Sequence, residues 1–370
     1  AVTFMAFFRE IAGVDVNPLS TFVCFLVLLA SHGLLNAFGV NLVKLLTGVS
    51  AWWHLAGAAI ILVVLAFVPA QHQSAGWTLT HFVNNTGWDN PLYAGIIGLL
   101  MAQYTLTGFD ASAHVAEETT NAGVNAPKGI VSSVVVSIIA GWILLLAITS
   151  SIQDYDGALK SATGLPPAQI FIDAAGRPLG LMLLLICAVA QFFCGMACVT
   201  SSSRMSFAFS RDNALPGSRL WAKVNPKTGT PTNSIWLVVA GAALLAAPSL
   251  VSTTAYLAVT SIAVIGLYLA YITPVFLRRL NPDFVQGRWN LGRYSAIVGW
   301  VAVAWVAFIV ILFMLPPANP ITIDTFNYAP VAVLAVVVFA IGSWFVGGKK
   351  HFMLDQLEGH NTKSIEELLG

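Results

Sequence analysis

The sequence predicts an all-α integral membrane protein, and three observations carry that prediction. Of the 370 residues, 57% are hydrophobic and only 9% are charged, whereas a soluble domain carries about a quarter charged residues. The apolar residues are gathered in runs of the length that a membrane-spanning helix needs, roughly 20 residues. The alternation of apolar and polar residues that marks membrane β-strands is absent. We therefore expect lipid to be the solvent for most of this chain.

Proline, glycine and charged residues divide the apolar runs into nine predicted membrane helices. A long polar loop, HQSAGWTLTHFVNNTGWDNP, separates the second helix from the third, and a second polar loop, QDYDGALKSATGLPPAQIFIDAAGRP, follows the fourth. The fifth helix is longer than a bilayer is thick, so we expect its end to project into water. The predicted spans are Ser20–Val40, Ser50–Pro69, Tyr93–Ala116, Ile130–Ile152, Leu179–Phe209, Asn233–Val251, Ala255–Leu277, Tyr294–Leu315 and Ala329–Val346.

The N-terminal residues 1–8, AVTFMAFF, have the composition of the end of a further apolar span, and residue 1 is Ala rather than Met. They lack the pattern of a secretory signal peptide. We therefore expect the N-terminal part of the membrane domain to be missing from this sequence. Residues 1–370 are predicted to form one transmembrane domain, in which residues 347–370 are a C-terminal tail.

The basic residues predict the orientation of the helices. When the nine spans alternate across the membrane, 14 of the 17 Lys and Arg residues fall on one side and 3 on the other. Basic residues accumulate on the cytoplasmic side of membrane proteins, so this side and the C-terminal tail are predicted to be cytoplasmic. The three exceptions are Arg9, Lys160 and Arg177.

Composition and spacing also disfavour several classes of function. No basic tract or basic-aromatic patch suggests a nucleic-acid partner, and we expect no cofactor. The four cysteines lie in apolar runs and indicate neither a disulfide framework nor a zinc site. The seven histidines are scattered without metal-ligand spacing, and we find no catalytic constellation of an integral-membrane enzyme.

The stretch QYTLTGFDASAHVAEE, residues 103–118, places a carboxylate inside a predicted span. Asp110 is the one acidic residue near the middle of an apolar run, where a charge costs at least about 2.5–3.5 kcal/mol on insertion scales. Gly108 and the neighbouring hydroxyl residues allow a helix to break, and an unwound segment is tolerated where it lines a cavity. Broken helices build the substrate sites of many secondary transporters. The alternative is that Asp110 bonds to a neighbouring helix and only holds the bundle together.

Two histidines and two glutamates are further polar residues near or within the apolar runs. His54 lies one turn into its span and is either an interfacial residue beside two tryptophans or a proton-carrying group. His32, in a small-residue segment, is interpreted as a packing residue. Glu117 and Glu118, at the end of their helix, are interpreted as a solvated cap or as salt-bridge partners of basic loops.

Three motifs resemble the amino acid–polyamine–organocation superfamily of permeases. The segment TGFDASAHVAEETTNAGVNAPKGI is similar to that superfamily's sixth helix and the loop after it. The segment SSSRMSFAFSRDNALPGSRLWAKVNPKTGTP is similar to the end of the eighth helix, and NYAPVAVLAVVVFAIGSWFVGGKKHF to the last helix of the amino acid/choline (γ-aminobutyrate permease-like) branch. The resemblance implies an inverted-repeat fold of twelve helices, of which the nine spans would be helices four to twelve.

The resemblance also implies site residues. Thr107, Gly108, Phe109 and Asp110 fall on the unwound part of helix six, which with the broken helix one forms the substrate site in the superfamily. Asp110 matches an acidic position implicated in gating. His54 falls where proton-coupled relatives keep a Lys in helix five, and Cys198 lies near a gate position of helix eight.

These implications predict a secondary active transporter that moves an amino acid or a related small amine across the plasma membrane. Proton symport and alternating access are the expected mechanism. The alternatives are a choline, polyamine or γ-aminobutyrate carrier of the same fold, or a membrane scaffold or receptor that binds a ligand without transporting it.

Overall fold

The computed structural model describes residues 1–116, 119–251, 253–323 and 325–345. Within these ranges the chain forms helices and connecting turns, with no β-strand. The fourteen α-helices are α1 Val2–Ala12, α2 Pro18–Phe38, α3 Val40–Phe67, α4 Ala75–Thr80, α5 Pro91–Thr105, α6 Ala111–His114, α7 Ala122–Ser150, α8 Tyr155–Leu159, α9 Pro166–Arg211, α10 Ser218–Trp221, α11 Thr232–Ala246, α12 Thr253–Leu280, α13 Ser295–Met314 and α14 Ala329–Ser343.

Each of the nine predicted spans corresponds to helical structure. Within the described residues, seven helices are long and apolar enough to cross a membrane. The other two predicted spans are α5 and α6, which a turn separates, and α14, which is shorter than the seven. The all-α membrane fold is thereby confirmed, and the chain is a multi-pass membrane protein. Val346, Glu117, Glu118 and the predicted tail, residues 347–370, lie outside the described residues.

Three helices begin two turns or more before the predicted residue. Helix α3 begins at Val40 rather than Ser50, α7 at Ala122 rather than Ile130, and α9 at Pro166 rather than Leu179. The additional turns carry polar or charged residues, which at a membrane boundary are solvated and do not end a helix. Within α9, Gly176 (φ 75°, ψ 159°) interrupts the helical backbone just before Pro178.

The helices pack in two groups. Helix α9 lies at the centre of the first group and contacts α1, α2, α3 and α11. In the second group α12 packs on α13 and α14, around a core that includes Ile265, Tyr268 and Ile309. Residues of α5 pack against this second core, and α6 contacts α7 and α9. The break between α5 and α6 therefore lies where the two groups meet.

The outer faces of the helices are apolar and exposed. Large side chains such as Phe67 and Val251 are exposed by 83% and 92%. Isolated apolar side chains are common on soluble proteins, but large contiguous apolar faces are not. This distribution is the one that a bilayer would solvate.

Candidate functional site

The helix that contains Asp110 is broken at the predicted place. Helix α5 ends at Thr105, α6 begins at Ala111, and the five residues between them form turns. Gly108 adopts φ +88°, a backbone conformation that residues with a Cβ atom rarely adopt. A Cβ atom at this position would meet no other atom within 4 Å. The requirement for glycine here is therefore conformational and not steric.

The break leaves the last carbonyl groups of α5 without helical partners. Side chains replace the missing backbone donors at the carbonyl oxygen of Gln103. Thr107 Oγ1 lies 3.0 Å from this oxygen, and the Tyr268 hydroxyl lies 3.2 Å from it. Thr107 Oγ1 also lies 2.6 Å from the carbonyl oxygen of Tyr104. The non-helical backbone is thus satisfied partly from α12, as a break at membrane depth requires.

Asp110 is bonded through both carboxylate oxygens. Oδ1 accepts a hydrogen bond from the Tyr271 hydroxyl of α12 at 2.6 Å, and Oδ2 lies 2.6 Å from Nε2 of His114. The side chains of Asp110 and His114 are only 19% and 13% exposed. His114 Nδ1 lies 3.4 Å from the carbonyl oxygen of Ser201 on α9. These contacts connect the break to both helix groups.

Each of the two ring nitrogens of His114 faces an oxygen acceptor. A carboxylate and a carbonyl oxygen are both acceptors, so a ring that bonds to both must donate from both nitrogens. An imidazole does so only when it is protonated on both. The contact to Ser201, at 3.4 Å, is longer than an ordinary N–H···O bond. The firm contact of His114 is therefore the one to Asp110, whose carboxylate also accepts a hydrogen bond from the Tyr271 phenol.

One face of the break lines a cavity of about 210 Å³. Thr107, Gly108 and Phe109 lie on this cavity together with Ser112 of α6, and Ser133 and Ser137 of α7 face them. Ser112 Oγ donates to the carbonyl oxygen of Ala126 at 3.3 Å, which ties α6 to α7. The lining combines hydroxyl groups with the backbone of the break, and it can therefore contact a small polar molecule.

Cys198 lines a different cavity, of about 360 Å³, between α1, α2, α9 and α11. Cys194, one turn earlier, and His32 of α2 share this cavity. The His32 ring packs on Phe192 with centroids 4.6 Å apart, and its buried Nε2 has no hydrogen-bond partner. These are packing contacts, of the kind expected for His32.

His54 lies exposed on α3. Its Nδ1 is 2.7 Å from the carbonyl oxygen of Ser50 and 3.3 Å from the Ser50 hydroxyl, both one turn earlier in the same helix. Among the described residues, none bonds to Nε2.

The structure brings some predicted site residues together and separates others. Thr107, Gly108, Phe109 and Asp110 form one continuous turn, whereas Cys198 lines the second cavity and His54 bonds within its own helix. Sequence reasoning assigned no role to Tyr271 or to His114. The position of His114 four residues after Asp110 was a usable signal, because such residues share a helix face. Nothing in the sequence pointed to Tyr271.

The fold and site define a class: a polytopic helical membrane protein with a broken helix that lines a cavity. No set of three or more His, Cys, Asp or Glu side chains in the described ranges could hold a metal ion. The sequence profile of the family described as "Amino acid permease" matches residues 1–339. The chain belongs to this amino acid permease family, as the motifs indicated.

Named relatives agree with this family. The chain is 42% identical over 337 residues to the "Amino-acid permease BAT1 homolog" of Oryza sativa subsp. japonica, covering 88% of this chain and 65% of the relative. It is 40% identical to the "Amino-acid permease BAT1" of Arabidopsis thaliana, covering 87% and 64%. Identity to the "Choline transporter" of Saccharomyces cerevisiae is 32%, covering 90% and 59%. The chain thus spans about 65% of the length of the rice relative.

Proposed function

We propose that this protein is a secondary active transporter that moves an amino acid or a related small amine across the plasma membrane, in symport with protons. The observation that supports it best is the break at residues 106–110, which lines a cavity inside a membrane-spanning segment. Non-helical backbone at membrane depth is tolerated where it lines a cavity or is buried in protein, and transporters use it to bind substrates. Membership of the permease family favours transport over catalysis.

The substrate class rests on two supports. The rice and Arabidopsis relatives are named amino-acid permeases. The break supplies backbone groups and hydroxyls that can bind a zwitterion's carboxylate and ammonium groups. We assign Thr107, Gly108 and Phe109 to substrate binding. Cys198 lines the second cavity, and it would contact the substrate where that cavity forms part of the transport path.

Asp110 acts as a gate in this proposal. Tyr271 and His114 each contact one of its oxygens, so a substrate ammonium that reached this carboxylate would compete with these two groups for its charge. Protonation of the carboxylate would weaken both bonds, because each is strengthened by the negative charge. Release of Tyr271 would then free α12 from the break and permit the two helix groups to move against each other.

Two histidines are the proposed proton carriers. His54 has an Nε2 to which no described residue bonds, and an imidazole ring can accept and return a proton at that nitrogen. A proton shared between His114 and Asp110, whose side chains lie 2.6 Å apart, would couple the loading of this pair to the gate. The two roles are separable, because His54 makes its hydrogen bonds only within α3.

The test is uptake into proteoliposomes that contain the complete purified protein, with and without an inward proton gradient. We expect gradient-driven accumulation of an amino acid, loss of gradient dependence in His54→Ala, and loss of uptake in Asp110→Asn. His81→Ala is the matched control, since His81 stacks on Trp77 outside the predicted spans. Uptake by the unmodified protein that does not depend on the proton gradient would contradict proton coupling. If the protein binds the amino acid but does not transport it, the proposal of a transporter is wrong, and a receptor or scaffold role takes its place.

Choline is a second candidate substrate, supported by a specific contact. The rings of Phe109 and Tyr271 lie 4.6 Å apart at the break, and aromatic faces attract quaternary ammonium groups. One relative is named a choline transporter. Competition between radiolabelled choline and a panel of amino acids separates the two candidates: the better substrate displaces the other at lower concentration.

The proposed orientation places the C-terminus in the cytoplasm. It is supported by the distribution of the basic residues across the predicted spans. Selective labelling of single cysteines introduced at Asp156 and Arg288, from outside intact cells, tests it. If the cysteine at position 288 is labelled and the one at position 156 is protected, the orientation is the opposite of the proposed one.

A further inference from the structure

The connection between α12 and α13 concentrates positive charge. It begins in the last turn of α12 with Arg278 and Arg279, continues through Arg288 and ends with Arg293, two residues before Ser295. One acidic residue, Asp283, lies in this stretch. We call residues 278–295 the arginine hairpin.

Arg279 is held in place without being neutralised. Its Nη2 donates to Oγ of the buried Ser295 at 3.1 Å, and its aliphatic stem lies against Gly299 of α13. Its Nε–H is buried without an acceptor. Within the described part of the chain, no carboxylate forms an ion pair with it. A half-buried cation bonded only to a neutral hydroxyl is incompletely compensated.

Two of the other three arginines of the hairpin, Arg278 and Arg293, are positioned by aromatic rings. The Arg278 guanidinium lies 5.0 Å from the centroid of Phe284, and that of Arg293 lies 4.9 Å from the centroid of Tyr294. Such contacts orient a guanidinium and leave its charge available. Apolar side chains are exposed between them: Phe284 by 48% and Val285 by 82%. Alternating cations and exposed apolar groups are typical of a surface that lies at the membrane interface.

We propose that the arginine hairpin binds the phosphate of an anionic phospholipid, with Arg279 as the main contact and Arg278 and Arg293 beside it. A guanidinium presents its donors in a fork that matches phosphate oxygens, and it binds them more specifically than an ammonium does. Basic pockets between membrane helices on the cytoplasmic side hold such headgroups. The exposed Phe284 and Val285 contact the acyl region of the same leaflet.

The ordinary role of a basic residue in the last turn of a helix is to interact with that helix's own carbonyl end. Arg279 departs from this role because its side chain reaches across to Ser295 and Gly299 of α13. A lipid is favoured over a soluble anion because the charge stands among exposed apolar groups, which a soluble anion would not cover.

The test compares the complete protein in nanodiscs of phosphatidylcholine with and without phosphatidylglycerol, read as the thermal midpoint and as the phosphatidylglycerol retained after detergent extraction. We expect preferential retention of the anionic lipid and a higher midpoint in its presence. Arg279→Gln should lower the retention about tenfold, the loss of one charge-assisted bond. Arg288→Gln removes the same charge from an exposed position of the same loop and should retain the preference.

Three outcomes would overturn the proposal. The first is an equal loss in Arg279→Gln and Arg288→Gln, which means diffuse attraction. The second is no preference in the unmodified protein. The third is the same stabilisation by inorganic phosphate in phosphatidylcholine discs, which means a soluble anion. If Arg279→Gln does not fold, Arg279→Lys is compared with Arg288→Lys. Lysine keeps the charge but lacks the fork of donors, so only Arg279→Lys should lower the retention of the anionic lipid.

Discussion

Tyr271 donates a hydrogen bond of 2.6 Å to Oδ1 of Asp110 and so fastens α12 to the break between α5 and α6. Phe109 strengthens the same junction, since its ring lies 4.6 Å from that of Tyr271. His114 holds the other carboxylate oxygen and reaches the Ser201 carbonyl of α9. A single carboxylate therefore connects the two helix groups at the point where the backbone is least regular.

Removing the Tyr271 hydroxyl should destabilise this junction more than removing a comparable hydroxyl nearby. Tyr271→Phe leaves Oδ1 of Asp110 without its donor, and a hydrogen bond to a charged group contributes about 1.5–3 kcal/mol. Tyr268→Phe removes a bond of 3.2 Å to the neutral Gln103 carbonyl, and bonds between neutral groups contribute less than bonds to a charge, so its effect should be smaller. Thermal unfolding in detergent measures both.

A double-mutant cycle then assigns the effect to the pair. Asp110→Asn should make Tyr271→Phe less costly, because the charge that strengthened the bond is gone and only a neutral acceptor remains. Additive effects of the two substitutions would show that Tyr271 acts through packing on Phe109 and not through Asp110.

Gly108→Ala should cost stability although the site has room for the methyl group. The left-handed backbone conformation costs a residue with a Cβ about 1–2 kcal/mol, and no atom lies within 4 Å of the added carbon. Gly98→Ala is the matched control: Gly98 is helical and equally uncrowded, so alanine should be neutral or stabilise by up to about 1 kcal/mol. Unfolding midpoints of the two variants decide the matter; equal shifts would contradict a conformational requirement at Gly108.

The location of the break was predictable from local sequence, but its partners were not. Gly108 next to an intramembrane Asp110 is a signal that spans a few residues, and the structure breaks the helix there. Tyr271 lies 161 residues away in a uniformly apolar span, where no periodicity marks which side chain faces the break. The early beginnings of α3 and α7 were missed for a related reason: polar residues at a membrane boundary are compatible with either a loop or a helix.

Gly195 should be intolerant of a side chain for steric reasons. A Cβ there would lie 2.5 Å from Cε1 of His32, whose ring is already packed on Phe192. Overpacking of this kind costs about 1–3 kcal/mol. Gly241→Ala on α11, with no atom within 4 Å, is the control and should be tolerated. Adding His32→Ala to Gly195→Ala should recover part of the stability in thermal unfolding; no recovery would mean that the methyl group disturbs α9 itself.

Thr200 and Asn36 join α9 to α2 through a buried hydrogen bond, and its removal should be measurable. Thr200 Oγ1 donates to Asn36 Oδ1 at 2.6 Å, while Asn36 Nδ2 donates to the carbonyl oxygen of His32 at 2.9 Å. Thr200→Val keeps the volume of the side chain but leaves a buried acceptor unpaired, because Asn36 is only 2% exposed. Interhelical bonds in membrane proteins contribute about 0.6 kcal/mol on average, and the unpaired acceptor raises the expected loss to about 1 kcal/mol. Thr47→Val is the matched control, since the Thr47 hydroxyl bonds to the Val43 carbonyl of its own helix and joins no other element. If the two variants unfold at the same temperature, apolar packing stabilises the α2–α9 contact. The Thr200–Asn36 bond would then only fix how the two helices are aligned along each other.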